Sequence, residues 1–358
     1  MDRWNAVVGF LEMEEQEGRY RYRSSLEGAA SRITPSLYFL TKDKEVIKMT
    51  RILFVTDVHG SEYVFRKFIN ALPIYKADVG ILLGDLSGKL LVPIVKNPDG
   101  TYISTFFGGT YKFKEKDLED MKKRISIAGY YPICVSKEEL DKIESNPELK
   151  DRIFVENIKK RLESWIKLAE ERLRDKNIKL FISAGNDDPW EIEDVLNSSD
   201  FVINAGMKKV YIDEYHEMIT VPHSNPTPWN TPREVPEEKL EEIIESLVKD
   251  IKDMERAIFN FHVPPYDSGL DLAPKLSRDL TPSVSEMIPV GSKAVRKAIE
   301  KYQPLMGLHG HIHESKGVCN IGRTVCFNPG SEYGEGILKG VLIDLEKDRV
   351  KGYSFVSG

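Results

Sequence analysis

Cysteine is scarce in this chain: Cys134, Cys319 and Cys326 are the only three in 358 residues. So few, and odd in number, they cannot build a disulfide framework, which points to a reducing compartment. No apolar run approaches the roughly 18 residues that a membrane-spanning helix needs. Glutamine is nearly absent, with only Gln16 and Gln303, while Lys and Glu dominate the charges, a bias seen in proteins from hot environments. Positive charge is not in excess: 51 Lys and Arg face 57 Asp and Glu, a net charge of -6. That balance argues against generic attraction to nucleic acid or anionic membrane, although a local basic groove stays open. The opening residues hold a short apolar stretch, Ala6 to Leu11, flanked by acids and lacking the basic start and cleavage site of an export signal. A cytoplasmic location is therefore expected.

What is present suits a soluble globular protein, with 41% hydrophobic and 30% charged residues. The length is about twice that of an average domain. Residues 1–50 read as an N-terminal extension: Trp4, Val7, Val8 and Leu11 have helical spacing, and Ser36 to Leu40 resembles a short strand. Arg19 to Arg23 alternates Arg with Tyr. This could be a basic aromatic platform for nucleic acid, but a strand with one packed and one solvated face is the simpler reading.

From residue 51 to 358 short apolar runs recur, each followed at once by a polar, glycine-containing loop. They are ILFVTDVHG (52–60), VGILLGDLSG (79–88), KLFISAGNDDP (179–189), AIFNFHVPPY (257–266) and LMGLHGHIH (305–313). Continuous apolarity suggests strands buried on both faces, hence an α/β class. Two amphipathic helices are expected between them, one carrying Phe154, Ile158, Trp165, Ile166, Ala169 and Leu173, the other Leu240, Ile244, Leu247, Ile251 and Met254. Asp85 and Gly185 lie 100 residues apart, which implies an insertion at about 88–178, either a cap over the active face or a peripheral decoration. It should contain a hairpin from Leu90 to Phe113 around Asn97-Pro98-Asp99-Gly100. The tail from Gly317 to Ser357 reads as antiparallel strands, with Cys319 facing Cys326 if Gly322-Arg323 is the turn.

Each apolar run ends in metal-ligand types: Asp57 and His59, Asp85, Asn186, His262, then His311 and His313. In α/β sheets the loops at the carboxyl ends of strands gather in one crevice, so these residues should converge. Oxygen and imidazole ligands without thiolates suit Mn, Fe, Zn or Ni. Asp-x-His and His-x-His on extended chain put both side chains on one side. Two such clamps and a shared carboxylate make a two-metal site, with ions roughly 3.5 to 4 Å apart.

These motifs, Asp57-Val58-His59, Gly84-Asp85, Gly185-Asn186-Asp187-Asp188, His262 and Gly310-His311-Ile312-His313, resemble in type and order those of the calcineurin-like metallophosphoesterases. The resemblance covers about Arg51 to Phe355 apart from the insertion, and Phe327-Asn328-Pro329-Gly330-Ser331 matches the element that follows the family's last site loop. It implies a four-layer α/β sandwich of two mixed sheets flanked by helices. One divalent ion would take Asp57, His59, Asp85 and His313, the second Asp85, Asn186, His262 and His311, with Asp85 bridging. The implied reaction is hydrolysis of a small-molecule phosphate ester by a metal-bridging hydroxide.

Asp187 stands where the family usually has a His beside the leaving group. It could serve as general acid if burial or nearby anions raised its pKa; the simpler reading is that it points away. Family branches without this His resemble phosphodiesterases, so a diester is the favoured substrate. The loop after Asp85 lacks the Arg of the protein Ser/Thr phosphatase branch, which argues against that activity. A nuclease of the same chemistry and a non-catalytic metal-binding scaffold are the alternatives.

Outside these motifs, His223, Trp229, Asn230 and Arg233 could line a substrate pocket or pack a rigid loop. His309 should face the core or support a ligand, and His216 reads as a surface residue. Oligomeric state leaves no mark in the sequence.

Overall fold

The computed structural model describes residues 11–16, 19–24 and 49–358, except residue 278. The chain divides into two compact units, Met1–Val46 and Ile47–Gly358.

In the first unit, strands Leu11–Gln16 and Arg19–Ser24 form an antiparallel hairpin. The strand expected from the Arg/Tyr alternation is there. Leu11, expected in a helical stripe, instead begins a strand. The strand pairs with Arg19–Ser24, Glu12 opposite Arg23 and Glu14 opposite Arg21 in the register. Trp4, Val7, Val8 and the Ser36–Leu40 stretch lie outside the described residues.

The second unit is built on two mixed six-stranded sheets. The first has the order Val202–Asn204, Lys179–Ser183, Val79–Leu83, Thr50–Thr56, Lys339–Glu346, Arg349–Ser357, the first four strands parallel and the last two antiparallel. The second runs Lys209–Tyr211, Glu217–Val221, Ile258–Phe261, Met306–Leu308, Thr324–Asn328, Gly317–Ile321, with its four middle strands parallel. The expected antiparallel tail therefore divides into two hairpins, one in each sheet. Cys319 and Cys326 stand opposite each other as free thiols in one of them.

Side chains alternate between cores, which is why the runs read as continuously apolar. Ile52 and Phe54 enter the core between the sheets with Met218, Ile258, Met306 and Phe327. Leu53 and Val55 face the other way, against helix Glu62–Ile74 and the long helix Pro147–Leu173. On the far side, Ile219, Val221, Phe259 and Phe261 pack under helices Glu237–Val248 and Lys293–Tyr302. The layers are helices, sheet, sheet, helices, an α/β sandwich. Ile251 and Met254 pack against this last core from beyond the helix end, because the chain turns after Val248 and Lys252 N donates to Glu217 at 2.7 Å.

Residues 88–178 hold a four-stranded sheet of order Gly109–Lys114, Thr101–Phe106, Leu91–Lys96, Tyr131–Val135, with a small core of Val92, Ile94, Tyr102, Phe106, Leu118, Met121 and Ile125. Its Leu91–Lys96 and Thr101–Phe106 strands form the expected hairpin. The stretch ends in the Pro147–Leu173 helix, started by Asn146, whose side chain accepts from Leu149 N.

Candidate metal centre

All the singled-out loops leave the carboxyl ends of parallel strands. Thr50–Thr56, Val79–Leu83 and Lys179–Ser183 deliver Asp57 and His59, Asp85, and Asn186 with Asp187 from the first sheet. Ile258–Phe261 and Met306–Leu308 deliver His262, and His311 with His313, from the second. Backbone bonds continue past the strand ends: His59 N to Asp85 O and Gly60 N to Leu86 O, both 2.8 Å, and Gly310 N to His262 O at 2.9 Å.

Asp57, His59, Asp85 and His311 all have positive φ, 53°, 39°, 45° and 66°. The ligand pairs therefore do not sit on extended chain, and the strand-alternation expectation fails; tight left-handed loops aim them instead. Such conformations are costly for residues with a Cβ and collect at functional sites.

The structure brings seven titratable side chains together. Ligand atoms of Asp57, His59 and His313, of Asp85, His262 and His311, and of His59, Asp85 and Asp187 lie within 4.8 Å of one another in each group. Nε2 of His59 is 3.1 Å from Nε2 of His313. Asp85 faces both sides, with Oδ2 3.6 Å from His59 Nε2 and Oδ1 3.4 Å from His262 Nε2. Asp57 Oδ1 is 3.5 Å from His313 Nε2 and 3.9 Å from His262 Nε2. Asn186 donates its amide to Thr231 Oγ1 at 2.7 Å, which leaves its buried Oδ1 without a partner. His59 Nδ1 and both ring nitrogens of His262 are likewise buried without hydrogen-bond partners.

Unpaired buried polar atoms are costly and rare, and their assembly around two carboxylates could hold divalent cations. The approach of the loops also requires glycine: a Cβ at Gly84 would overlap the His262 ring, and one at Gly310 would overlap Thr56 Oγ1 and Asp57 Oδ2.

The charges fit the same reading. Burial works against ionised Asp57, but His313 and His262 hold its pKa down to about 2, and burial of Asp85 is likewise overcome, mainly by His262. Burial opposes the charge on His262, yet Asp85 and Asp57 raise it to about 9; His313 is raised by Asp57 and Asp85. Burial pushes His59 down to about 3 and His311 down to about 4, keeping their nitrogen lone pairs free. Protonated imidazoles thus supply, between two carboxylates, positive charge that a bound cation would replace.

Asp187 does not point away. Its Oδ2 lies 3.9 Å from His59 Nδ1, its N–H donates to Asp85 Oδ1 at 3.0 Å, and its carboxylate contacts Lys89. Burial, then the Asp85 charge, raises its pKa to about 6, against the pull of Lys89.

Several contributors carry weaker sequence signals. Asp188, fully buried, accepts from Leu86 N, Ser87 N and Gly185 N at 3.0, 2.7 and 2.8 Å and ties two ligand loops together. A second acid directly after Asp187 is its one trace in the sequence. Asn328 secures the His311 loop through Gly310 O and Ile312 O, and Ser331 donates to Asp57 O at 2.7 Å. Lys89 leaves no pattern at all.

Arg233 is not available to a phosphate. It is buried, donates to Asp188 O and Glu193 at 2.8 Å each, and lies 4.2 Å over the Trp190 ring. Trp229 is exposed, and buried His223 sits 6.0 Å from Trp190. His309 is buried, with Nδ1 on Phe261 O at 2.9 Å. His216 is not a surface residue: the turn at Asp213 folds it inward, Nδ1 2.8 Å from Asp213 Oδ2.

No protein-family model matches the chain. It is 34% identical over 147 residues to the uncharacterized protein MJ1162 of Methanocaldococcus jannaschii, a match over 40% of this chain and 61% of that protein. The chain thus spans less than two thirds of this relative's length. Among solved structures, one crystal structure aligns with a TM-score of 0.50 at 16% identity, covering 86% of this chain and 99% of the other. TT1561 of Thermus thermophilus aligns at 0.48 and 16%, over 87% and 99%, and a dimetal phosphatase from Danio rerio at 0.42 and 9%, over 86% and 98%. The first of these is a likeness of fold. Among the described residues no helix is long and apolar enough to cross a membrane.

Proposed function

We propose that this chain is a metal-dependent phosphoesterase acting on a small-molecule phosphate ester, with a phosphodiester as its substrate. The supporting observation is the convergence of Asp57, His59, Asp85, His262, His311 and His313 from both sheets, with Asn186 Oδ1 left unpartnered beside them. Following the resemblance, one cation would be held by Asp57, His59, Asp85 and His313, the other by Asp85, Asn186, His262 and His311. Mn, Fe, Zn or Ni would suit these donors. Bound cations would supply Lewis acidity and an acidified water for in-line displacement at phosphorus.

The chain's own groups do the rest. Asp85 faces both ligand sets with its two oxygens and fixes their spacing. His59 and His311, kept neutral by burial, offer lone pairs without a proton to displace. Asp187 and Lys89 stand together at the edge of the cluster, where a leaving oxygen needs a proton or a charge partner. The Asp187 carboxylate also bears on substrate choice, because it repels the dianion of a monoester more than the single charge of a diester. A nuclease gains no support from the overall charge, with 57 Asp and Glu against 51 Lys and Arg. We assign residues 51–358 to the catalytic part, with 88–178 as an insertion and 1–50 as an appendage. The three free thiols suit a cytoplasmic setting.

The test is nitrophenol release from bis- and mono-nitrophenyl phosphate with added Mn²⁺. Metal-stimulated turnover that favours the diester and is lost in Asp85→Ala is expected. Stoichiometric metal with no turnover on either ester would leave a binding scaffold instead.

A further inference from the structure

In the ligand cluster Asp57, His59, Asp85 and His262 are buried, whereas the side chains of His313, Asp187 and Lys89 are 29%, 19% and 42% exposed. These three mark the side that opens to solvent. Lys89 is set there by a turn held along its length. Leu86 N and Ser87 N donate to Asp188, Gly88 N donates to the Tyr131 hydroxyl at 2.8 Å, and a Cβ on Gly88 would overlap Gly129 O. Asp187, next to Asp188 in the chain, donates its N–H to Asp85 Oδ1 at 3.0 Å. Asp188 therefore fixes the two loops so that Lys89 Nζ meets Asp187 Oδ2. That oxygen is 3.9 Å from His59 Nδ1, and ligand atoms of His59, Asp85 and Asp187 lie within 4.8 Å of one another. The ammonium stands one hydrogen bond out from the cluster.

Stability does not account for the pair. An ion pair with a half-exposed lysine contributes at most about 1 kcal/mol, and this one keeps a second carboxylate beside Asp85. The other cations that reach these loops are committed to the fold: Arg233 to Asp188 O and Glu193, Arg161 to Gly60 O and Ser126 Oγ. Burial works against the Lys89 charge, but Asp85 and Asp187 outweigh it and raise its pKa, so the ammonium persists at neutral pH. The ion-paired Asp187 carboxylate can only accept hydrogen bonds, whereas the ammonium has three protons to direct, one of them toward Asp187. In-line attack from within the cluster sends the leaving oxygen to the opposite, open side, where this ammonium stands.

We propose that Lys89 is a catalytic residue that faces the leaving oxygen of the ester, with Asp187 as the positioning residue that holds its ammonium in place. This rests on the phosphoesterase reading. As the P–O bond breaks, its electron pair stays on the leaving oxygen, and Lys89 Nζ donates a hydrogen bond to the charge that develops there. The proton that completes the alcohol is the one that the attacking water gives up, so ester and water become phosphate and alcohol, and Lys89 ends as it began.

Two methyl phosphate diesters that differ in the leaving group, nitrophenyl and phenyl, separate this role from others. Phenolate is the poorer leaving group and needs more stabilisation. In the manganese-loaded protein, Lys89→Met should lower kcat roughly hundredfold on the phenyl diester and less than about tenfold on the nitrophenyl diester. Its Mn²⁺ affinity by calorimetry should match that of the wild type, and Lys89→Arg should recover much of the loss. Asp187→Asn should show the same leaving-group bias to a smaller degree. Equal losses on the two diesters, no loss on either, or a fall in Mn²⁺ affinity that accounts for the loss would overturn the role of Lys89, while wild-type turnover left the hydrolytic reading standing. Manganese binding with no wild-type turnover of either diester would overturn that reading and this role with it.

Discussion

Asp85 divides its two oxygens between His59 and His262, so removing it should disable both halves of the centre. Asp85→Ala should lower turnover roughly a thousandfold or more, as expected when several kcal/mol of charge stabilisation are lost; steady-state assays in Mn²⁺ would show it. Asp188 should behave differently. Asp188→Asn weakens a buried acceptor of three backbone N–H groups and should cost about 1–3 kcal/mol of stability in urea unfolding.

The metal-free cluster also predicts a pH signature. His262 is raised from 6.5 to about 9, so its contribution to stability is full below pH 6.5 and disappears as pH rises through about 9. Asp57, lowered from 3.8 to about 2, contributes above pH 3.8 and ceases to as pH falls toward 2. Melting of the apoprotein should therefore drop between pH 6.5 and 9, and metal binding in that window should release protons. Thermal scans with and without Mn²⁺ would check the first, and calorimetry in buffers of different ionisation enthalpy the second.

At the scale of elements, the strands were legible because a parallel strand with cores on both faces leaves an uninterrupted apolar run. All five runs became strands for that reason. The residues that the fold gathers were legible too, since each run ends in a residue type with metal chemistry, Asp57, His59, Asp85, His262, His311 and His313 among them. The conformation that aims those residues was not: left-handed φ at Asp57, His59, Asp85 and His311 follows from loops bonded to one another across sequence distance. Burial of His216 and Arg233 was equally hidden, because partners supplied by the fold, Asp213 for one and Asp188 O with Glu193 for the other, decide it. Close approach of the loops gives a further prediction. Gly310→Ala places a methyl group against Asp57 and Thr56 and should cost about 1–3 kcal/mol through overpacking. Its circular dichroism should remain native while Mn²⁺ affinity falls.

Over the whole molecule, the two sheets meet so that neither alone supplies the proposed ligand set: Asp57, His59, Asp85 and Asn186 come from one, His262, His311 and His313 from the other. Metal binding should therefore stabilise the sandwich as a unit, by about 2.7 kcal/mol at a free concentration one hundred times the dissociation constant. Anomalous scattering from crystals grown with manganese reads the arrangement directly. Two peaks should appear, one on each side of Asp85, the first among Asp57, His59 and His313 and the second among Asn186, His262 and His311. A single peak, or none within reach of Asp85, would contradict a paired centre.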